Sequence, residues 1–173
     1  MKLNIIIPTF NRDKSLRKTL SSLAAARLPE NFQIEVTVVD NNSVADTKRI
    51  VEEMQPQFTD IKLEYLFEKK QGRSFALNTG IKAADGEILS GIDDDEEIDE
   101  NWFVEVERIF RERWNEIDFV DGKLLPNWET DALAAENQPV LFAGYFYGRN
   151  LSDSWLDKPL QIFAKRFFNS AER

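Results

Sequence analysis

Three consecutive aspartates, Asp93, Asp94 and Asp95, follow directly on the apolar residues Ile88, Leu89 and Ile92. Carboxylates crowded this closely repel one another, and one is driven to protonate unless a cation intervenes. In an extended segment, residues two apart share a side, which sets Asp93 and Asp95 together and turns Asp94 another way. A divalent ion held by one or two of these carboxylates and by phosphate oxygens relieves the repulsion. Such an ion also neutralises a diphosphate leaving group as charge develops on it. The plainer reading is an acidic, solvated helix start running from Asp93 to Glu100, favoured by the helix dipole.

Two more polar clusters close apolar runs in the same way: Pro8-Thr9-Phe10-Asn11-Arg12 and Asp40-Asn41-Asn42-Ser43. A carboxylate at Asp40 can accept the ring N–H of a uracil, a directional contact that excludes cytosine. The same four residues are good turn formers, so an Asx-turn is the alternative. Arg12 either faces a phosphate or a base, or is simply a first-turn helix residue. Gln71-Gly72-Arg73-Ser74 follows Lys69-Lys70 and opens a helix, a place where anions are welcome. Arg73 can pair with a nucleotide or steady the aspartates; otherwise it is a surface arginine with Ser74 as the cap.

Composition narrows the chemistry further. The 173 residues contain no cysteine and no histidine. Disulfides, thiolate nucleophiles, a Ser-His-Asp triad and a His-ligated metal are all excluded within the chain. Any bound metal must take oxygen ligands, which favours Mg²⁺, Mn²⁺ or Ca²⁺. A net charge of -9 argues against nucleic acid as a partner and against docking on an anionic membrane through a basic patch. The run Ile5-Ile6-Ile7 is too short for a signal peptide, and no stretch reaches transmembrane length. The expected location is the cytoplasm, with peripheral attachment at the inner face of the membrane as the alternative.

The elements that must position these clusters alternate. Leu3–Pro8, Ile34–Val39, Ile61–Phe67 and Glu87–Ile92 read as buried strands. Helical spacing recurs in Leu16, Leu20 and Leu23, in Ile50, Val51 and Met54, in Leu77, Gly80, Ile81 and Ala84, and in Trp102, Phe103, Val106, Ile109 and Phe110. Asn11 or Asp13 is expected to cap the first helix. Asn78 and Gly80 are expected to pack the third against the acidic strand. The order β-α-β-α-β-α-β-α predicts an α/β fold with a mostly parallel sheet and helices on both faces. Ligands of such sheets sit beyond the carboxyl ends of the strands, where all three clusters fall. Beyond about Asp118 the periodicity fades into an aromatic-rich, proline-broken region, in which Phe119 and Val120 open another strand.

Four motifs in series carry a family resemblance: Ile6-Ile7-Pro8-Thr9-Phe10-Asn11-Arg12, Val38-Val39-Asp40-Asn41-Asn42-Ser43, Gly72-Arg73-Ser74-Phe75-Ala76-Leu77-Asn78-Thr79-Gly80, and Gly86-Glu87-Ile88-Leu89 leading to Asp93-Asp94-Asp95. In order and spacing the chain resembles the inverting family-2 glycosyltransferases of the Rossmann-like GT-A fold, over about residues 3 to 110. The resemblance implies base contacts from Thr9 and Asp40 with Arg73 nearby, ribose or base contacts from Asp93 and Asp94, and Mn²⁺ or Mg²⁺ on the diphosphate held by Asp95. Taken together, nucleotide-sugar contacts are expected from Pro8, Thr9, Asn11, Arg12, Asp40, Asn42, Arg73, Asp93 and Asp94, and metal ligation from Asp95 and Asp93.

The resemblance further implies a UDP-sugar donor and an acceptor hydroxyl, on a saccharide or a lipid-linked acceptor, deprotonated by a carboxylate. The family's base motifs, a Glu-Asp pair and Gln-x-x-Arg-Trp, are absent after Asp95. Asp121, Glu129, Asp153 and Asp157 are available carboxylates without a motif, and Trp128 and Trp155 are candidate sugar-stacking platforms, although aromatics of this kind usually pack a core. Residues 1–117 are accordingly expected to form the donor-binding part, and 118–173 an incomplete start of the acceptor-side region in a truncated chain. Two alternatives stand beside a transferase: a binding module without turnover, and a phospho-acceptor signalling domain. The latter wants acidic residues after the first strand, where Pro-Thr-Phe-Asn-Arg stands instead.

Overall fold

The structure, a computed structural model, describes residues 1–122 and the backbone of 163–165. Its elements are β1 (Lys2–Thr9), α1 (Asp13–Ala25), β2 (Gln33–Asp40), α2 (Thr47–Met54), β3 (Lys62–Phe67), α3 (Arg73–Ala83), β4 (Ile88–Gly91), α4 (Trp102–Arg113), β5 (Phe119–Asp121) and β6 (Phe163–Lys165). They form one sheet in the order β3-β2-β1-β4-β6-β5. The first four strands run parallel, and β6 pairs antiparallel with both β4 and β5. β1 therefore lies between the strand that follows it and a strand that returns on its other side, which is a topological switch point.

The alternating side chains of the strands feed two cores. Leu3, Ile5, Ile7, Val36 and Val38 pack with the apolar stripes of α1, α2 and α4 in the larger one. Ile6, Val39 and Leu89 face the other way and meet Ala76 of α3, with Leu66, Leu77 and Ile81 around them. The expected contact of Gly80 with the acidic strand is corrected here. Gly80 lies on β1 and β2, where a Cβ would strike Ile6 Cγ2 and come within 3.1 Å of Val39 Cγ2. The lack of a side chain is what lets α3 sit this close to the sheet.

The start of α1 also differs from expectation. Arg12 occupies the N-cap position, and no side chain caps the helix. Asn11 has been drawn away: at φ 56° its backbone N–H donates to Ser43 Oγ at 3.0 Å, while its Oδ1 accepts from Val44 N at 2.8 Å. A tertiary pair between the β1 and β2 loops has displaced a local cap. At α2 the local rule holds, because Asp46 accepts from Arg49 N at 3.1 Å as the N-cap. Trp128, Glu129, Asp153, Trp155 and Asp157 lie outside the described residues.

Candidate functional site

The site begins with Pro8. β1 pairs with β2 along its whole length, but with β4 only from Leu3 to Ile6. Pro8 has no N–H to give a second ladder, and it stands opposite Val39 of β2, past the last β4 partner. The last link to β4's end is Ile92 N donating to Ile6 O at 3.1 Å. Beyond it, the two strands part and a cleft of about 440 Å³ opens. Pro8 and Thr9 line it from the end of β1, and Phe10 and Arg12 from the link to α1. Gln71, Gly72 and Arg73 line it from the start of α3, and Asp93, Asp94 and Asp95 from the end of β4.

The three aspartates do not continue the strand, which corrects the extended reading. Asp94 and Asp95 lie in a turn closed by Glu96 N donating to Asp93 O at 3.2 Å, and Asp93 N donates to Glu96 Oε2 at 3.1 Å. The carboxylates therefore fan out, each to its own partner. Asp94 is buried and accepts from Thr9 Oγ1 at 2.7 Å, with Arg12 Nε 4.0 Å from its other oxygen. Asp95 accepts from Arg12 Nη1 at 2.6 Å. Asp93 accepts from Arg73, at 3.2 Å through Nε and closer through Nη2. The mutual repulsion anticipated from sequence is thus met by two guanidinium groups and a hydroxyl. Burial pushes the Asp94 carboxyl above the ordinary aspartate range, against the Thr9 hydrogen bond and the Arg12 charge, which both favour ionisation. Burial likewise raises Glu96, with Asp93 N–H opposing the shift.

Asp40 and Asn42 sit differently from their neighbours. Asp40 is only 4% exposed and is not among the residues lining the cleft. Its Oδ1 accepts from Ser43 N at 2.9 Å, and its Oδ2 accepts from the Tyr65 hydroxyl at 3.0 Å. The turn alternative is therefore realised, although each oxygen keeps a second lone pair. Asn42 takes φ 66° and is exposed, off the cleft. Asn11 lines a separate shallow hollow at the start of α1, together with Arg12, Asp13 and Lys14.

Phe10, Gln71 and Gly72 line the cleft without having been expected as site residues, and so does Asn41, between Asp40 and Asn42. Asn41 is 6% exposed and touches the cleft from below. The available signal was its place in the second motif, one step past a strand end, where the chain must turn and leave peptide groups to be satisfied.

Among the described residues, no three acidic side chains are grouped to hold a metal ion unaided. Asp93 and Asp95 keep half-exposed carboxylates, 44% and 50% accessible, in a cleft without nitrogen or sulfur ligands. That donor set fits a hard ion that takes one or two carboxylates and completes its shell with phosphate oxygens and water.

A doubly wound sheet whose switch point opens into a cleft of paired acids and arginines defines the class of open α/β proteins, whose ligands as a rule sit at the strand ends. The chain belongs to glycosyl transferase family 2, whose profile matches residues 4–124. Over 99 residues it is 35% identical to the GalNAc(5)-diNAcBac-PP-undecaprenol beta-1,3-glucosyltransferase of Campylobacter jejuni, covering 56% of this chain and 30% of that one. It is 34% identical over 98 residues to the poly(ribitol-phosphate) beta-N-acetylglucosaminyltransferase TarS of Staphylococcus aureus, covering 57% of this chain and 17% of that protein. The crystal structure of TarS 1-349 in complex with UDP-GlcNAc matches with a TM-score of 0.59 and 27% identity, over 73% of this chain and 37% of that one. The chain spans about a third or less of the length of these curated relatives.

Proposed function

We propose that residues 1–117 form the donor-binding part of a metal-assisted, inverting glycosyltransferase that takes a UDP-sugar, and that 118–173 begin its acceptor-side region. The observation that carries this reading is the meeting of Arg12, Arg73 and all three aspartates in one cleft where β1 and β4 part. Membership of the family and the likeness to a UDP-GlcNAc complex support it. Uridine lies against Pro8 and Thr9, and Asp40, beneath the β1–β2 edge, offers a free lone pair to the ring N–H. Asp94, fixed by Thr9, faces the ribose. Arg73 sits beside the base and ribose, and Arg12 faces the phosphates as the donor enters. Asn11 and Asn42 shape the loops on which these contacts depend.

Asp95, with Asp93 beside it, would hold Mg²⁺ or Mn²⁺, whose charge would offset that gathering on the departing diphosphate. The bond between sugar C1 and the diphosphate oxygen breaks as the acceptor oxygen attacks from the opposite face, and the acceptor proton passes to a carboxylate. Every aspartate of the described cleft already has a partner, so none stands out as that base. This favours a second reading, a donor-binding module without turnover of its own.

Calorimetric titration with UDP in Mn²⁺, Mg²⁺ and EDTA tests the donor site. We expect binding that needs the metal and weakens about tenfold or more in Asp95→Ala, the scale of a lost contact to a charged group. No binding under any of these conditions would reject the donor site. Product formed with an acceptor would then separate the transferase from the module.

A further inference from the structure

Between β3 and α3 the chain must return across the end of β2, and residues 68–72 do so around a single side chain. Asn41 Nδ2 donates to Lys70 O at 2.8 Å and to Glu68 O at 3.4 Å, and its Oδ1 accepts from Gly72 N at 2.7 Å. Its own N–H donates to Thr9 O at 2.9 Å. The amide offers both a donor and an acceptor, so it serves the loop as a peptide group of a neighbouring strand would. Gly72 then takes φ 133°, a conformation that disfavours other residues, and hands the chain to Arg73 at the first position of α3. Arg73 reaches Asp93 across the cleft. A second clamp holds the loop from outside: Glu68 accepts from Lys70 N at 2.7 Å and from Thr79 Oγ1 of α3 at 2.5 Å.

We infer that Asn41 is a positioning residue of the donor site, which fixes the wall formed by residues 71–73 and so places Arg73 over the acidic turn. This rests on the donor-site reading above and names a residue through which that site is built. Asn41→Asp keeps the acceptor for Gly72 N but sets a carboxylate oxygen against the Lys70 carbonyl, so only the inner clamp is broken. Glu68→Ala removes both acceptors of the outer clamp, at a side chain only partly buried.

The test has two arms on the full chain. Hydrogen exchange, followed by mass spectrometry without any ligand, reads the loop itself. Both variants should speed exchange across residues 68–73 by about tenfold or more, the scale of one lost buried hydrogen bond, while β1 and β2 stay protected. Unchanged exchange in Asn41→Asp would overturn the inference whatever UDP does. Calorimetry with UDP and Mn²⁺ then reads the consequence. We expect each variant to bind more weakly, and Asn41→Asp to cost little more once Arg73→Ala is present, since the two act through one contact. Independent, additive losses would also overturn it, because they would make Asn41 a stabilising residue unconnected to Arg73. Faster loop exchange in a protein whose unaltered form binds no UDP would uphold the role of Asn41 in placing Arg73 and reject the donor reading alone.

Discussion

Asp40 and Tyr65 form a pair whose titration can be followed directly. Burial first, and the Asp40 carboxylate beside it second, push the Tyr65 hydroxyl from its ordinary 10.0 up to about 12. A raised folded value means that the folded state holds the proton longer than the unfolded chain. The stability this contributes is complete below pH 10.0 and is lost as pH rises through about 12. Absorbance titration of the phenolate should show one of the three tyrosines ionising late, and the late phase should vanish in Tyr65→Phe. Asp40→Asn should move that phase to lower pH, since it removes a charge that opposes phenolate. An unmoved midpoint would show that burial alone sets it. At this scale the sequence was readable where a residue acts through its own charge: Arg12, Arg73 and the aspartates do meet. It was unreadable where the role depends on a distant loop, as with Asn41, or on a long-range competitor, as with Asn11.

The elements were legible because each carries its own period. β-branched runs bounded by Pro8, Asp40 and Asp93 have few other uses, and the observed strands differ from the predicted ones by a residue or two at their ends. Glycine was harder to read, since its absent side chain can only be interpreted against a partner. Gly80→Ala should destabilise the protein by about 1–3 kcal/mol, the usual cost of overpacking, because the new methyl meets Ile6 and Val39. It should also weaken UDP binding, because α3 carries Arg73 at its first position. Asp46→Ala provides the contrast. Removing that cap should cost about 0.5–2 kcal/mol of stability and leave UDP affinity alone. Thermal melts and calorimetry on both variants would separate these outcomes, and equal effects on UDP would place α2 and α3 on the same footing.

Across the whole molecule, the placing of the site at one sheet edge followed from strand order, whereas the antiparallel β6 beside β4 left no trace in the helix-strand alternation. No helix among the described residues is long and apolar enough to cross a membrane. The two arginines at the cleft are each spent on an aspartate, and the chain as a whole carries a charge of -9. On the donor-site reading, an anionic nucleotide approaching from a distance therefore meets a net repelling field, and the two arginines that reach the cleft are already engaged. The screening length is about 8 Å at physiological ionic strength and shortens further as salt is added, which weakens that repulsion. Capture of UDP, followed by stopped-flow, should consequently quicken as salt rises over the low range, the reverse of what a steered encounter shows. A protein arranged this way relies on short-range grip rather than long-range attraction, and its donor occupancy should be governed by how slowly the nucleotide leaves.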